Sequence, residues 1–186
     1  MSEPGGKLTY ADYAALPDDG RRYQLVEGEL VVTPAPNAWH QRLQLKLAAK
    51  LDAFVEQAAS GVVLVSPLDV VLDERTVVQP DIVFISRKRA AILTRPNVQG
   101  APDVCVEILS PATERLDRVR KFNLYARCGI PHYWIVDPEA RTIEEFVLEG
   151  AVYRSRGVTS CDDAFRPAAF PGFEFSMASA TLPGQD

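Results

Sequence analysis

The sequence predicts an α/β fold with a mixed central sheet flanked by helices, and three observations carry that reading. Apolar residues recur at three- and four-residue intervals over residues 39–58, with Leu43, Leu47, Leu51 and Phe54 on one face. Residues 113–127 form a second helical stretch, closed by Gly129 and Pro131. Between and after the helices lie strand-sized apolar runs at residues 62–65, 68–72, 81–86, 104–109 and 133–136. The order from Trp39 onward, helix, three strands, helix, strand, suits a sheet covered by helices.

The remaining elements follow in order. Thr9 is placed to cap a short helix over residues 10–16, which Pro17 and the Asp18-Asp19-Gly20 turn end. Residues 22–26 and 29–32 flank the two-residue Glu27-Gly28 connection and predict an N-terminal hairpin. Residues 62–65 and 68–72 read as a strand pair or as one strand bent at Pro67, before a turn at residues 73–75. A short helix is expected around residues 90–93. C-terminal edge strands are expected at 143–148 and 152–154, followed by a Pro-rich tail. The chain reads as a single domain, 1–186, with a core at about 9–153 and a C-terminal extension over 154–186.

Composition removes several function classes. At 186 residues, 47% hydrophobic and 24% charged, the chain suits a globular domain with a sizeable core. Its longest apolar runs fall short of the roughly 18 residues a membrane span needs. The N-terminal segment has no signal-peptide core, so a cytoplasmic location and no membrane partner are expected. Cys105, Cys128 and Cys161 have no paired spacing, and His40 and His132 make no metal motif. Neither a Gly-rich phosphate loop nor a nucleophile elbow is present. A net charge of -5 is unlike a general nucleic-acid binder. Local basic runs soften that argument: Arg87, Lys88, Arg89 and Arg95 have no acid among them, and residues 113–127 carry five basic residues against two acids. Solvated helix and loop faces explain such runs equally well.

Two acids interrupt apolar strands: Asp81 in Val78-Gln79-Pro80-Asp81-Ile82-Val83, and Glu107 in Val104-Cys105-Val106-Glu107-Ile108-Leu109. A carboxylate there is costly unless it is paired, hydrogen-bonded or bound to a cation. Strand alternation puts Asp81 with Val83 and Ile85, and Glu107 with Cys105 and Leu109, so the two carboxylates can converge. Mg²⁺ takes one or two protein carboxylates, and a backbone carbonyl at Ile108 would complete a set suited to phosphodiester chemistry. On the following helix Asp117, Lys121 and Tyr125 are spaced i, i+4, i+8, so Lys121 reaches back towards the strand ends. Taken singly, Asp81 is a strand-start residue and Glu107 and Lys121 a buried ion pair; their joint occurrence favours a metal site.

With Tyr23-Gln24-Leu25-Val26-Glu27-Gly28-Glu29-Leu30, His40, Pro80-Asp81, Val106-Glu107-Ile108-Leu109-Ser110-Pro111, Lys121 with Tyr125, and Tyr133-Trp134-Ile135-Val136-Asp137-Pro138, the chain resembles the Uma-two family of restriction-endonuclease-like proteins over about residues 9–153. The resemblance implies a PD-(D/E)XK nuclease fold in which Asp81 and Glu107 are metal ligands. It also implies that Lys121 is the superfamily lysine, moved to the helix from the strand position now held by Leu109. Gln24 stands where the family usually has Glu, and His132 where it often has Glu. Glu29, His40 and Tyr125 are the supporting candidates. The function implied is a Mg²⁺- or Mn²⁺-dependent endonuclease acting on DNA. The alternatives are a silent nuclease-fold interaction module, homodimeric and favoured by the acidic net charge, and a hydrolase of phosphorylated small molecules.

Overall fold

The computed structural model describes residues 6–182. The chain begins with α1 (Tyr10–Ala14), where Thr9 and Asp12 form a reciprocal capping box, then the hairpin β1 (Arg22–Val26) and β2 (Glu29–Thr33). Glu27 and Gly28 both have positive φ, 54° and 82°, the conformation a tight two-residue hairpin turn demands. The long helix α2 (Ala38–Gln57) follows, capped by the Asn37 side chain. Next come β3 (Gly61–Val65), β4 (Val70–Asp73), β5 (Thr76–Val78), β6 (Ile82–Ser86), a 3₁₀ turn (Arg87–Ile92), β7 (Val98–Gln99) and β8 (Val104–Ile108). A π-helical turn (Leu116–Lys121) runs into α3 (Phe122–Arg127), and β9 (His132–Asp137), β10 (Thr142–Glu149) and β11 (Val152–Ser160) complete the strands.

The expected mixed central sheet flanked by helices is present, and a second, smaller sheet that includes the N-terminal hairpin accompanies it. The larger has the order β11-β10-β9-β8-β6-β3 and is mixed, since β8 and β9 are parallel and the other pairs antiparallel. The smaller, β2-β1-β5-β4-β7, takes in the N-terminal hairpin. The physical reason lies at Pro67: β3 and β4, which flank it, pair in different sheets, and β4 turns back on β5 through residues 73–76. Residues 62–65 and 68–72 are thus neither a strand pair nor one strand bent at Pro67, but two strands of different sheets.

Alternation along the central strands divides the core. Ile82, Phe84, Val104, Val106, Ile108 and Trp134 face α2, whose Leu43, Leu47, Leu51 and Val55 are fully buried. Val83, Ile85, Cys105 and Leu109 face α3, with Leu124, Tyr125 and Tyr133. Each fully buried leucine contributes about 1.5–3 kcal/mol, so the helix periodicity seen in sequence is the main force placing α2. The parallel β8–β9 connection requires a crossover, and α3 supplies it directly over Glu107. The segment after β11 returns to the core: Phe165, Phe170, Phe173, Phe175 and Met177 are buried, with Phe165 and Phe170 edge-on to Trp134.

Candidate functional site

Asp81 leaves the smaller sheet's end of the chain and enters β6 held on several sides. Its backbone carbonyl accepts from Gln44 Nε2 (2.8 Å) and Ser66 N (3.1 Å). Its carboxylate Oδ2 accepts from the Ile108 backbone N–H at 2.8 Å and lies 3.1 Å from His40 Nε2, a contact that needs the imidazole proton on Nε2. Asn37 Oδ1 accepts from His40 N at 2.8 Å and so fixes the histidine on the first turn of α2. Gln24 Oε1 accepts from Gln79 N at 3.0 Å and pins the loop just ahead of Asp81. A glutamate at position 24 would offer the same acceptor, so the departure from the family pattern keeps the anchoring contact.

The β6–β8 register pairs Ile82 with Val106, and one further step brings Asp81 opposite Glu107 on the same face. Glu107 Oε1 accepts from Lys121 Nζ at 2.9 Å and from the Tyr125 hydroxyl at 2.6 Å. Lys121 also ion-pairs with Asp117 Oδ1 at 3.0 Å, a contact without hydrogen-bond geometry. All four groups are buried: Asp81 is 6% exposed, Glu107 3%, and Asp117 and Lys121 2% each. Glu107 and Asp117 therefore share one ammonium in a nearly dry environment, with Asp81 beside them against His40.

The electrostatics follow from that imbalance. Burial, then the charges of Asp117 and Asp81, push the Glu107 carboxyl up to about 8, against the pull of Lys121 and the Tyr125 hydrogen bond. Burial likewise raises Asp117, opposed by Lys121. Burial works against the Lys121 ammonium, yet Asp117 and Glu107 outweigh it and hold the proton more firmly than on a free lysine. Burial raises the Tyr125 phenol well above its ordinary value, so Tyr125 acts as a hydrogen-bond donor to Glu107.

Asp81, Glu107, Ile108, Asp117, Lys121 and His40 line one cavity of about 230 Å³. Arg22 also lines it, and its Nε is buried with no hydrogen-bond partner. Asn37 and His40 bring the N-terminus of α2, the positive end of its dipole, to the same space. Among the described residues, Asp81 Oδ1 and Glu107 Oε2 carry no protein hydrogen bond, because both scaffolding contacts of each carboxylate fall on its other oxygen. No group of three or more His, Cys, Asp or Glu side chains is arranged to hold a metal ion among the described residues.

The central candidates Asp81, Glu107, Ile108 and Lys121 thus meet in one cavity, with His40 beside them and Tyr125 behind Glu107. Glu29 does not join them: it is exposed and ion-pairs with Arg120 at 2.8 Å, because its place after the hairpin turn points it outward. Gln24 occupies the cavity wall in its stead. Asp117 and Arg22 are the residues that sequence reasoning did not single out as site groups. The i, i+4, i+8 stripe of Asp117, Lys121 and Tyr125 was the available signal for the first; nothing local marks the second.

A restriction-endonuclease-like architecture carrying a buried acid–lysine cluster at the mouth of two central strands defines a nuclease-type fold. The chain matches the family described as "Putative restriction endonuclease" (Uma2) over residues 10–178, and it belongs to that family, consistent with the PD-(D/E)XK superfamily. It is also similar in structure to a protein from Anabaena variabilis described as "a putative nuclease belonging to DUF820", with a TM-score of 0.77 and 18% identity, over 93% of this chain and 97% of that one. At that identity the likeness speaks for the fold. No curated protein matches the chain. No helix among the described residues is long and apolar enough to cross a membrane.

Proposed function

We propose that the chain is a Mg²⁺- or Mn²⁺-dependent endonuclease that hydrolyses phosphodiester bonds in DNA. The observation that carries this reading is a buried cluster of acids short of partners: Glu107 and Asp117 share Lys121, Asp81 lies against His40 and the Ile108 N–H, and one oxygen each of Asp81 and Glu107 has no protein hydrogen bond. Such a deficit is costly in low dielectric, and a divalent cation relieves it as effectively as added protons. The donor set fits a hard cation, since Mg²⁺ commonly takes one or two protein carboxylates and completes its shell with water and phosphate. Asp81 and Glu107 would hold it, with the Ile108 carbonyl, and when bound it would polarise the phosphate and lower the pKa of water.

The chain's own groups have separable roles. His40 and the Ile108 N–H hold Asp81 by one oxygen and orient the other. Tyr125 and Lys121 do the same for Glu107. Lys121 keeps its proton, so towards a phosphodiester it acts as a fixed positive charge rather than as a base. Arg22 and the N-terminus of α2 give the cavity a side that favours an anion, which supports a phosphate entering from there.

The test is cleavage of plasmid and linear DNA by purified protein with Mg²⁺ or Mn²⁺, with chelator and Glu107→Gln as controls. Metal-dependent nicking that Glu107→Gln loses is the expected result. Wild-type protein that cleaves no DNA with either ion would overturn the reading in favour of an interaction module. One observation favours that second reading: the basic residues of 113–127 are largely consumed internally. Arg118 pairs with Glu114, Asp137 and Glu144, Arg120 with Glu29, and Arg127 with Glu27, so this helix offers DNA little free charge.

A further inference from the structure

Away from the acid cluster, the outer face of α2 and the open edge of β3 enclose an apolar groove of about 870 Å³. Leu45 is 61% exposed on the helix side and Val65 46% exposed on the strand side. β3 is the outermost strand of the larger sheet. Among the described residues this apolar strip beside an open sheet edge is uncovered, apart from Leu182 at its rim, and such a strip is a contact surface that a folded protein normally covers or guards.

The sequence of the helix says what covers it. Ala38, Arg42, Leu45, Ala49, Asp52 and Glu56 follow one another at spacings of 4, 3, 4, 3 and 4, so they form one narrow seam along α2, away from the buried Leu43, Leu47 and Leu51. Turned antiparallel about an axis midway between Leu45 and Ala49, the seam becomes complementary to itself. Arg42 then meets Asp52 of a second copy, Leu45 meets Ala49, and Ala38 meets Glu56. Two small alanines in the seam, with Ala48 beside it, allow close approach of the helices. Neither the Arg42 nor the Asp52 side chain forms an ion pair or hydrogen bond among the described residues, and Arg42 Nε is buried without a partner. Ten residues apart on one helix, they are about 15 Å from each other and cannot pair within a chain.

We infer that this face is the docking surface for a second copy of the same chain, with α2 packed antiparallel on α2 and an Arg42–Asp52 pair at each end of an apolar centre. The contact is isologous: each residue pairing occurs twice by symmetry, which doubles the effect of any substitution. It leaves the acid-lined cavity on its own side of Asn37 and His40, so dimerisation and the proposed nuclease activity are independently testable.

The experiment is sedimentation velocity on the full chain across a concentration series, with folding of every variant checked by circular dichroism. Wild type is expected to show a concentration-dependent monomer–dimer equilibrium. Arg42→Asp and Asp52→Arg each set like charges against one another at both ends, and each is expected to weaken dimerisation by about tenfold or more. The double exchange, Arg42→Asp with Asp52→Arg, is expected to return the dissociation constant to within about threefold of wild type. Leu45→Glu, at an already exposed position, is expected to abolish the dimer. A wild type that is monomeric throughout overturns the inference and leaves the groove to another partner. A dimer indifferent to all four variants, or single losses that the double exchange does not recover, overturns it equally.

Discussion

Lys121 and Arg118 stand three residues apart on one helical segment, and each gathers carboxylates around a single cation. Lys121 takes Glu107 and Asp117 with all three side chains at most 3% exposed. Arg118 takes Glu114, Asp137 and Glu144 with its own side chain 30% exposed. The stoichiometry is similar and the consequences differ. At Arg118 solvent reaches the cation and screens its pairs, although Asp137 is itself buried. In the dry interior the same arrangement displaces protonation equilibria, as at Glu107, and leaves charge for a ligand to neutralise. Burial, more than the number of charges, separates a candidate site from a surface network.

Removing each cation tests that distinction most severely. Lys121→Met keeps the chain length and deletes the charge; it is expected to lower DNA cleavage on the order of 10²-fold or more. It is also expected to destabilise the fold by about 3–5 kcal/mol in chemical denaturation, because the buried Asp117 and Glu107 side chains lose their shared partner. If Lys121→Met behaves like Arg118→Ala in both measurements, the buried cluster has no special standing.

A pH series sharpens the same comparison. Unfolded Glu107 titrates near the ordinary 4.5, while the folded residue holds its proton to about 8. Between those values the folded state binds a proton that the unfolded state has released, so metal-free stability is fully present below 4.5 and falls as pH rises towards 8. Thermal melts of wild type and Glu107→Gln in chelator are expected to diverge in that window, the variant losing this part of the slope. Parallel curves would mean that Glu107 ionises as a surface acid does.

Ligand binding gives a smaller, more specific effect. Mn²⁺ at about 100 times its dissociation constant is expected to stabilise the wild type by about 2.7 kcal/mol. Asp81→Ala is expected to erase that gain, whereas Arg118→Ala keeps it. An equal rise in Asp81→Ala would assign the ion to other acids. Least of all, Arg118→Ala itself is expected to cost about 1 kcal/mol or less, shrinking further at high salt as exposed pairs do. A loss as large as that of Lys121→Met would place the Arg118 network among the core elements.

Much of this molecule was readable from local pattern. The period of Leu43, Leu47 and Leu51 marked α2, the Glu27-Gly28 turn marked the hairpin, and two acids in apolar strands marked Asp81 and Glu107, because backbone geometry and the cost of a buried charge act on neighbouring residues. Long-range choices were not readable. Whether β3 and β4 share a sheet depends on which distant strand each one pairs with, and hydrophobic pattern is satisfied either way. The register of the second helix shifted too, since Leu116–Lys121 is π-helical, a local widening that periodicity at 3.6 residues does not encode.

The sequence by itself determined the acids, the lysine and the helix and strand periods that carry them, since those follow from residue chemistry over a few positions. Only the tertiary structure decided that Arg22 from the hairpin and His40 from α2 reach the same cavity as Glu107, that Glu29 turns outward to Arg120, and that Phe165 to Met177 return to pack on Trp134. Those outcomes rest on contacts between residues tens of positions apart. The free energy that selects them comes from packing the whole core rather than from any stretch of chain.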